Sequence, residues 1–275
     1  MSLDFMIKEI KSFSETKNLK YEYHDITTIY QYIRLKKAFL ENESTELYEP
    51  ILSMDPVSIE YIPSKKHQEE LKLKEKTKNI DTTYHSGYLL DAKFKDFEVL
   101  NEEREKLLNK AKDFVKNFEK KKFIKGLYIY GQNRTGKTFL LSAIVNELAS
   151  KDVKTVFVYV PDLIRDVHSS IDEGLLEEKV NQLKNCDLLV LDDLGSAFMN
   201  RWFRDQVFGS VIQYRLSVGL PVLVSSNLSM SQLANYMIDP SVNNDKFAAV
   251  RITTRLSELT TQIKLTDRKS TRLNS

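Results

Sequence analysis

The eight residues Gly131, Gln132, Asn133, Arg134, Thr135, Gly136, Lys137 and Thr138 restrict the possible folds of this chain more than any other stretch. They follow the apolar run GLYIY (126–130) and lead into FLLSAIVNELAS, whose apolar residues have helical spacing. Strand, glycine-bearing loop and helix form the setting in which the pattern G-x-x-x-x-G-K-[ST] cradles phosphate. Gly131 and Gly136 permit backbone turns that a side chain would block, so successive N–H groups converge into an anion nest. The unpaired N–H groups of the following helix start face the same point. Lys137 supplies a mobile positive charge for the β- and γ-phosphates, and the Thr138 hydroxyl is a candidate Mg²⁺ ligand. Residues 131–138, with Phe139 beside them, are therefore the expected nucleotide-binding set.

The rest of the second half repeats one theme. Apolar runs TVFVYV (155–160), DLLVLD (187–192), PVLVSS (221–226) and TQIKL (261–265) alternate with helical stretches. Continuous Val/Ile/Leu strands separated by helices predict a parallel sheet covered on both faces, an α/β fold. Leu107, Leu108, Ala111, Phe114, Val115 and Phe118 share one helical face ahead of the first strand.

LLVL (188–191) ends in Asp192 and Asp193. A buried parallel strand delivers such residues to the sheet edge where ligands bind. Asp192 is the candidate Mg²⁺ anchor, and Asp193 the group that polarises an attacking water. Asn227 follows PVLVSS. A neutral amide there can bond a γ-phosphate, but Asn also caps helices and opens turns, which spacing by itself favours. Arg251 and Arg255 lie four apart on one helix face, suited either to a neighbouring subunit's γ-phosphate or to a solvated ion-pairing surface.

The first 48 residues read as helices, and Pro50, Pro56 and Pro63 then punctuate short strand-like pieces. KKHQEELKLKEKTKN (65–79) reads as a solvated helix or linker, so a boundary is expected near 65–85. With 41 basic and 39 acidic residues, no whole-chain field predicts a polyanion partner. One cysteine, Cys186, rules out an internal disulfide framework and reads as a packed thiol. No run reaches the ~18–20 apolar residues of a membrane span, and the N-terminus lacks a signal-peptide core, so a cytoplasmic protein without membrane partners is expected. Arg201, Trp202, Phe203 and Arg204 mix aromatics with cations; the mix could clamp single-stranded DNA, but a core role for the aromatics is the stronger reading. Lys120, Lys121 and Lys122 suit a helix end, and His168 receives no role.

The order GQNRTGKT, LLVLDD, VSSN, RITTR resembles the AAA+ ATPases. The nearer resemblance is to the DnaC/DnaI-type, IstB-like replicative helicase loaders, on the DnaI side. It is carried by YVPDLIRD (159–166), LDDLGSAFMNRWFRDQVFGSVIQYRL (191–216), PVLVSSN (221–227) and RITTRL (251–256). YLLDAKFKDFEVL (88–100) looks like the lead-in where that family grips adenine. The resemblance implies an AAA+ P-loop core preceded by a small, mostly helical N-terminal module. It makes residues 131–138 the Walker A loop, 188–193 Walker B, Asn227 the first sensor and Arg255, with Arg251 beside it, the arginine finger. Lys137, Asp193, Asn227 and Arg255 then form the catalytic set, and Thr138 and Asp192 the Mg²⁺ ligands. It also implies a central phosphate-loop strand flanked by the sensor strand.

The domains expected are a helicase-binding module with charged linker (1–80), an AAA+ domain (81–265) and a tail (266–275) that is disordered or non-native. DRKSTRLNS resembles peptide encoded by sequencing-adapter DNA, which leaves a second sensor arginine open. The DnaI branch usually has a Cys/His zinc site, but residues 50–85 hold no Cys and only His67 and His85, so ATP and Mg²⁺ are expected and zinc is not. The implied function is ATP-dependent loading of a hexameric replicative helicase onto single-stranded DNA, with slow hydrolysis and self-assembly through the ATPase domain. The alternatives are an IstB-like transposition helper and a nucleotide-switched binding module with little hydrolysis.

Overall fold

The computed structural model describes residues 2–42, 45–84, 88–120, 122–172 and 174–265. The 266–275 tail, His85 and Lys121 lie outside the described residues. The chain divides into two compact units, Met1–Glu75 and Lys76–Ser275.

In the first unit, α1 (Leu3–Ser12) and α2 (Ile26–Glu41) pack with the antiparallel hairpin β1 (Tyr48–Met54) and β2 (Val57–Pro63). Ile10, Ile26, Ile29, Tyr32 and Ile33 are buried together, with Leu52, Val57 and Ile59 of the hairpin against them. Lys36 is buried beside this cluster, pairing with Glu49 at 2.5 Å and Glu15 at 3.6 Å. Tyr32 donates its hydroxyl to the same Glu15, so one cation gathers groups from three chain segments. α3 (Lys65–Thr77) is highly charged and carries the division between the units within it.

In the second unit six strands form one parallel sheet, in the order β3-β5-β6-β7-β4-β8. These are β3 (Ile80–Tyr84), β4 (Gly126–Tyr130), β5 (Thr155–Tyr159), β6 (Leu188–Leu194), β7 (Val222–Ser226) and β8 (Thr260–Lys264). Strand neighbours point to opposite faces. Leu127, Ile129, Leu188 and Val190 therefore pack on one side with α4 (Glu102–Asn117) and α5 (Lys137–Ala149). Tyr128, Leu189 and Leu191 face the other side, against α6 (Val160–Asp172), α7 (Leu176–Asn185), α8 (Gly209–Val218), α9 (Met230–Tyr236) and α10 (Asp245–Leu259). Two dry layers thus hold the sheet, and its strand tips are left to carry chemistry.

The expected neighbour relation holds, since β4 pairs with the sensor strand β7. β4 is not central, however: β8 closes its other side, leaving it one strand in from the edge. Four strands, β7, β6, β5 and β3, lie to one side of β4 and only β8, formed by the final apolar run TQIKL, to the other, which is why β4 is off-centre. Phe203 is fully buried in a π-helical segment, Phe203–Phe208, whereas Trp202 keeps 36% of its surface exposed. Among the described residues no helix is long and apolar enough to cross a membrane.

Candidate nucleotide site

The loop between β4 and α5 has the backbone its glycines predict. Gly131 has φ +154°, and a Cβ there would stand 2.0 Å from the Leu265 carbonyl oxygen. Gly136 has φ +98° and is the cap residue of α5, and it makes no side-chain cap hydrogen bond to the first amides of that helix. An uncapped helix start facing a cleft is an anion site by construction. The cleft in front of it, about 350 Å³, is lined by Gly136, Lys137, Thr138, Phe139, Asp192 and Asp193 among others.

Lys137 is buried and its ammonium is fully engaged. It donates to the carbonyls of Gly131 (2.9 Å) and Gln132 (2.7 Å) and to Asn227 Oδ1 (2.9 Å). Burial pulls its pKa down, opposed by the nearby Asp193 and Asp192 carboxylates.

The acidic pair reaches the cleft through an irregularity in β6. Adjacent strand residues normally face opposite ways. Between Leu191 and Leu194 the register with β7 slips by one residue, and Asp193 takes a left-handed φ of +58°. A bulge of this kind re-aims side chains, and both carboxylates line the same cleft. Thr138 Oγ1 donates to the Asp192 carboxylate, 3.0 Å from each oxygen. Ser225 also donates its hydroxyl to Asp192, while accepting the Asp193 N–H at 2.9 Å. Asn227 Nδ2 donates to Asp193 Oδ1 at 3.2 Å. The Tyr159 hydroxyl lies 3.5 Å from Asp193 Oδ2, and burial together with that carboxylate pushes its pKa up, which keeps it a donor.

Lys137, Thr138, Asp192, Asp193 and Asn227 are thus brought into one hydrogen-bonded set, and Gly131 and Asn133 border it. Arg255 is not among the residues lining the cleft; it sits half-buried on α10, with Arg251 exposed one turn earlier. Sequence reading missed Ser225 and Tyr159. The clue to both was position: each lies at the tip of a strand adjoining β6, and Tyr159 pairs in register with Asp192.

The residues fit a triphosphate with a divalent cation. An uncapped helix start and an ammonium supply the anion's partners, and a hydroxyl beside a carboxylate supplies oxygen ligands of the kind Mg²⁺ prefers. Fold and site together define a P-loop nucleotide-binding protein of AAA+ architecture. The comparisons narrow this: the sequence pattern of the IstB-like ATP binding proteins matches residues 68–262, and the chain belongs to that family. It is 34% identical over 229 residues to the replicative helicase loader DnaI of Bacillus subtilis (strain 168), covering 82% of this chain and 73% of that one. A crystal structure of DnaI superposes with a TM-score of 0.59 at 38% identity, covering 64% of this chain and 91% of that one. The crystal structure of the DnaC helicase loader shares the fold, with a TM-score of 0.52 at 24% identity, over 64% of this chain and 97% of that one.

Proposed function

We propose that this chain is an ATP-dependent loader of a replicative DNA helicase, with residues 1–80 as the helicase-binding module and 81–265 as the motor. The observation that carries this reading is the extent of the likeness to DnaI. At 82% of the chain it exceeds what residues 76–275 could supply, so it enters the first unit, where a partner-specific module would lie. A transposition helper of the IstB type would need only the ATPase core in common.

In this reading the α5 amides and Lys137 hold the phosphates, and Thr138 with Asp192 would hold a Mg²⁺ ion, which would supply positive charge against the phosphates. Asp193 takes a hydrogen bond from the attacking water and turns it toward phosphorus. Asn227, bonded to both Lys137 and Asp193, senses the γ-phosphate. Arg255 completes the site of an adjacent copy, so hydrolysis is slow until copies assemble on single-stranded DNA.

The test is capture of the full chain by a purified hexameric replicative helicase, together with phosphate release in the presence of single-stranded DNA. Capture by the helicase and stimulated release support loading; capture by a transposase instead overturns it. In mixtures, Arg255→Ala and Asp193→Asn chains should regain part of the activity that each lacks alone. Equal, near-zero phosphate release by wild type and Asp193→Asn with DNA and helicase present favours a binding switch over a motor.

A further inference from the structure

Arg104 is among the largest fully buried side chains of the protein, 1% exposed, yet it carries a full positive charge. It stands in the first turn of α4, where its own N–H is held by the Asn101 side chain at 2.9 Å. Its guanidinium lies 4.5 Å over the Phe97 ring, and Nε donates to the Glu98 carbonyl at 2.6 Å. One terminal nitrogen donates to the Thr135 carbonyl at 2.8 Å, inside the phosphate loop and 31 residues away in sequence. The other terminal nitrogen lies 3.6 Å from where a Gly136 Cβ would be.

The Thr135 carbonyl is one edge of a peptide plane whose other edge is the Gly136 N–H. The plane is trans, so the two groups point in opposite directions. A guanidinium gripping the carbonyl from the buried side therefore turns the Gly136 amide to the cleft, which Gly136 lines. With glycine at 136 the plane could otherwise rotate at little cost. We infer that Arg104 is a positioning residue for phosphate recognition: it fixes the 135–136 peptide so that the Gly136 amide faces the phosphates. This rests on the nucleotide-binding reading of the cleft. Lysine cannot replace it, since one ammonium on a flexible stem lacks the planar fork that reaches the Glu98 and Thr135 carbonyls together.

The test compares wild type with Arg104→Lys and Arg104→Gln in the full chain. Calorimetry measures affinity for Mg-ATP and for inorganic triphosphate, and thermal unfolding monitors the fold. Both ligands should bind about ten-fold more weakly to each variant, the scale of one lost hydrogen bond to a charged group. The losses should be equal, because the effect acts on phosphate alone. Selective ¹⁵N-glycine labelling gives only 8 backbone signals; the Gly136 signal should shift with inorganic triphosphate in wild type and not in Arg104→Lys. A folded variant whose affinities stay within two-fold of wild type, or a loss confined to ATP, overturns the inference. If neither variant folds, the wild-type Arg104 Nε–H signal decides: a shift on adding inorganic triphosphate supports the inference, and an unmoved signal overturns it. Wild type that binds neither ligand overturns the nucleotide reading itself, a result distinct from all of these.

Discussion

The Asn227 side chain joins the loop cation to the Asp193 carboxylate: its Oδ1 accepts from Lys137 at 2.9 Å and its Nδ2 donates to Asp193 at 3.2 Å. One neutral amide thereby fixes the distance between the Lys137 ammonium and the Asp193 carboxylate, the proposed phosphate-holding and water-orienting groups. Asn227→Ala should lower the phosphate-release rate roughly 10²-fold, the scale of losing one preorganised polar group. ATP affinity should change by less than about three-fold, because Lys137 keeps its two loop carbonyls. Steady-state phosphate release with DNA and helicase, set beside calorimetric affinities, measures the split.

The two aspartates should separate cleanly. Asp193 occupies a left-handed backbone conformation, which Asn tolerates well, so Asp193→Asn changes chemistry without straining the bulge. It should bind Mg-ATP within about two-fold of wild type and release almost no phosphate. Asp192→Asn instead sets an amide N–H₂ against the hydroxyls of Thr138 and Ser225, both of which donate to Asp192. Its nucleotide affinity should become the same with Mg²⁺ as with EDTA, which calorimetry reads directly.

Arg204 and Asp245 form a buried two-pronged pair, 2.5 and 2.8 Å, that fastens the start of α10 to the π-helical segment. Hydrogen bonds from Arg204 hold the Asp245 carboxylate down to about 2, against an ordinary 3.8. A depressed carboxylate stabilises the fold fully above its unfolded value, and that contribution disappears as pH falls from about 3.8 toward about 2. Asp245→Ala should cost about 3 kcal/mol at neutral pH by leaving Arg204 under-compensated. It should also flatten the acid limb of stability, followed by denaturant unfolding between pH 5 and pH 2.

The first unit should be indifferent to metal. Its cohesion comes from the Ile10–Ile33 cluster and from Lys36 bridging Glu15 and Glu49. Lys36→Ala should destabilise this unit by about 1 kcal/mol, since water can reach the Glu15 and Glu49 carboxylates that it leaves behind. EDTA should leave the unfolding midpoint unchanged. Scanning calorimetry of the full chain, with and without chelator, tests both outcomes; a chelator-induced drop would reinstate a metal.

What could be read in advance follows from how local each signal is. The phosphate loop was legible because its glycines, lysine and threonine are contiguous and lie between a strand and a helix. The acidic pair was legible because four apolar residues carry it to a sheet edge. Asn227 was ambiguous by spacing, since an amide after a strand serves turns and caps more often than phosphates, and only the family resemblance reversed that reading. Ser225, Tyr159 and Arg104 were invisible for a physical reason. Their roles arise from strand register and from a contact spanning 31 residues, which no window along the chain contains. Strand order was partly legible: the family resemblance implied that the loop and sensor strands are neighbours, as they are, but nothing in TQIKL announces that it will flank β4.

The carbonyls of Gly131 and Gln132 that grip Lys137 also set a threshold for what the pocket accepts. An anion recruits that ammonium only in exchange for satisfied internal contacts, so a lone orthophosphate offers too little in return. A chain of linked phosphates, touching several amides at once, can outcompete them. On the nucleotide-binding reading, the loop's own bonding should therefore favour linked phosphates over single ones, before any base or partner is considered.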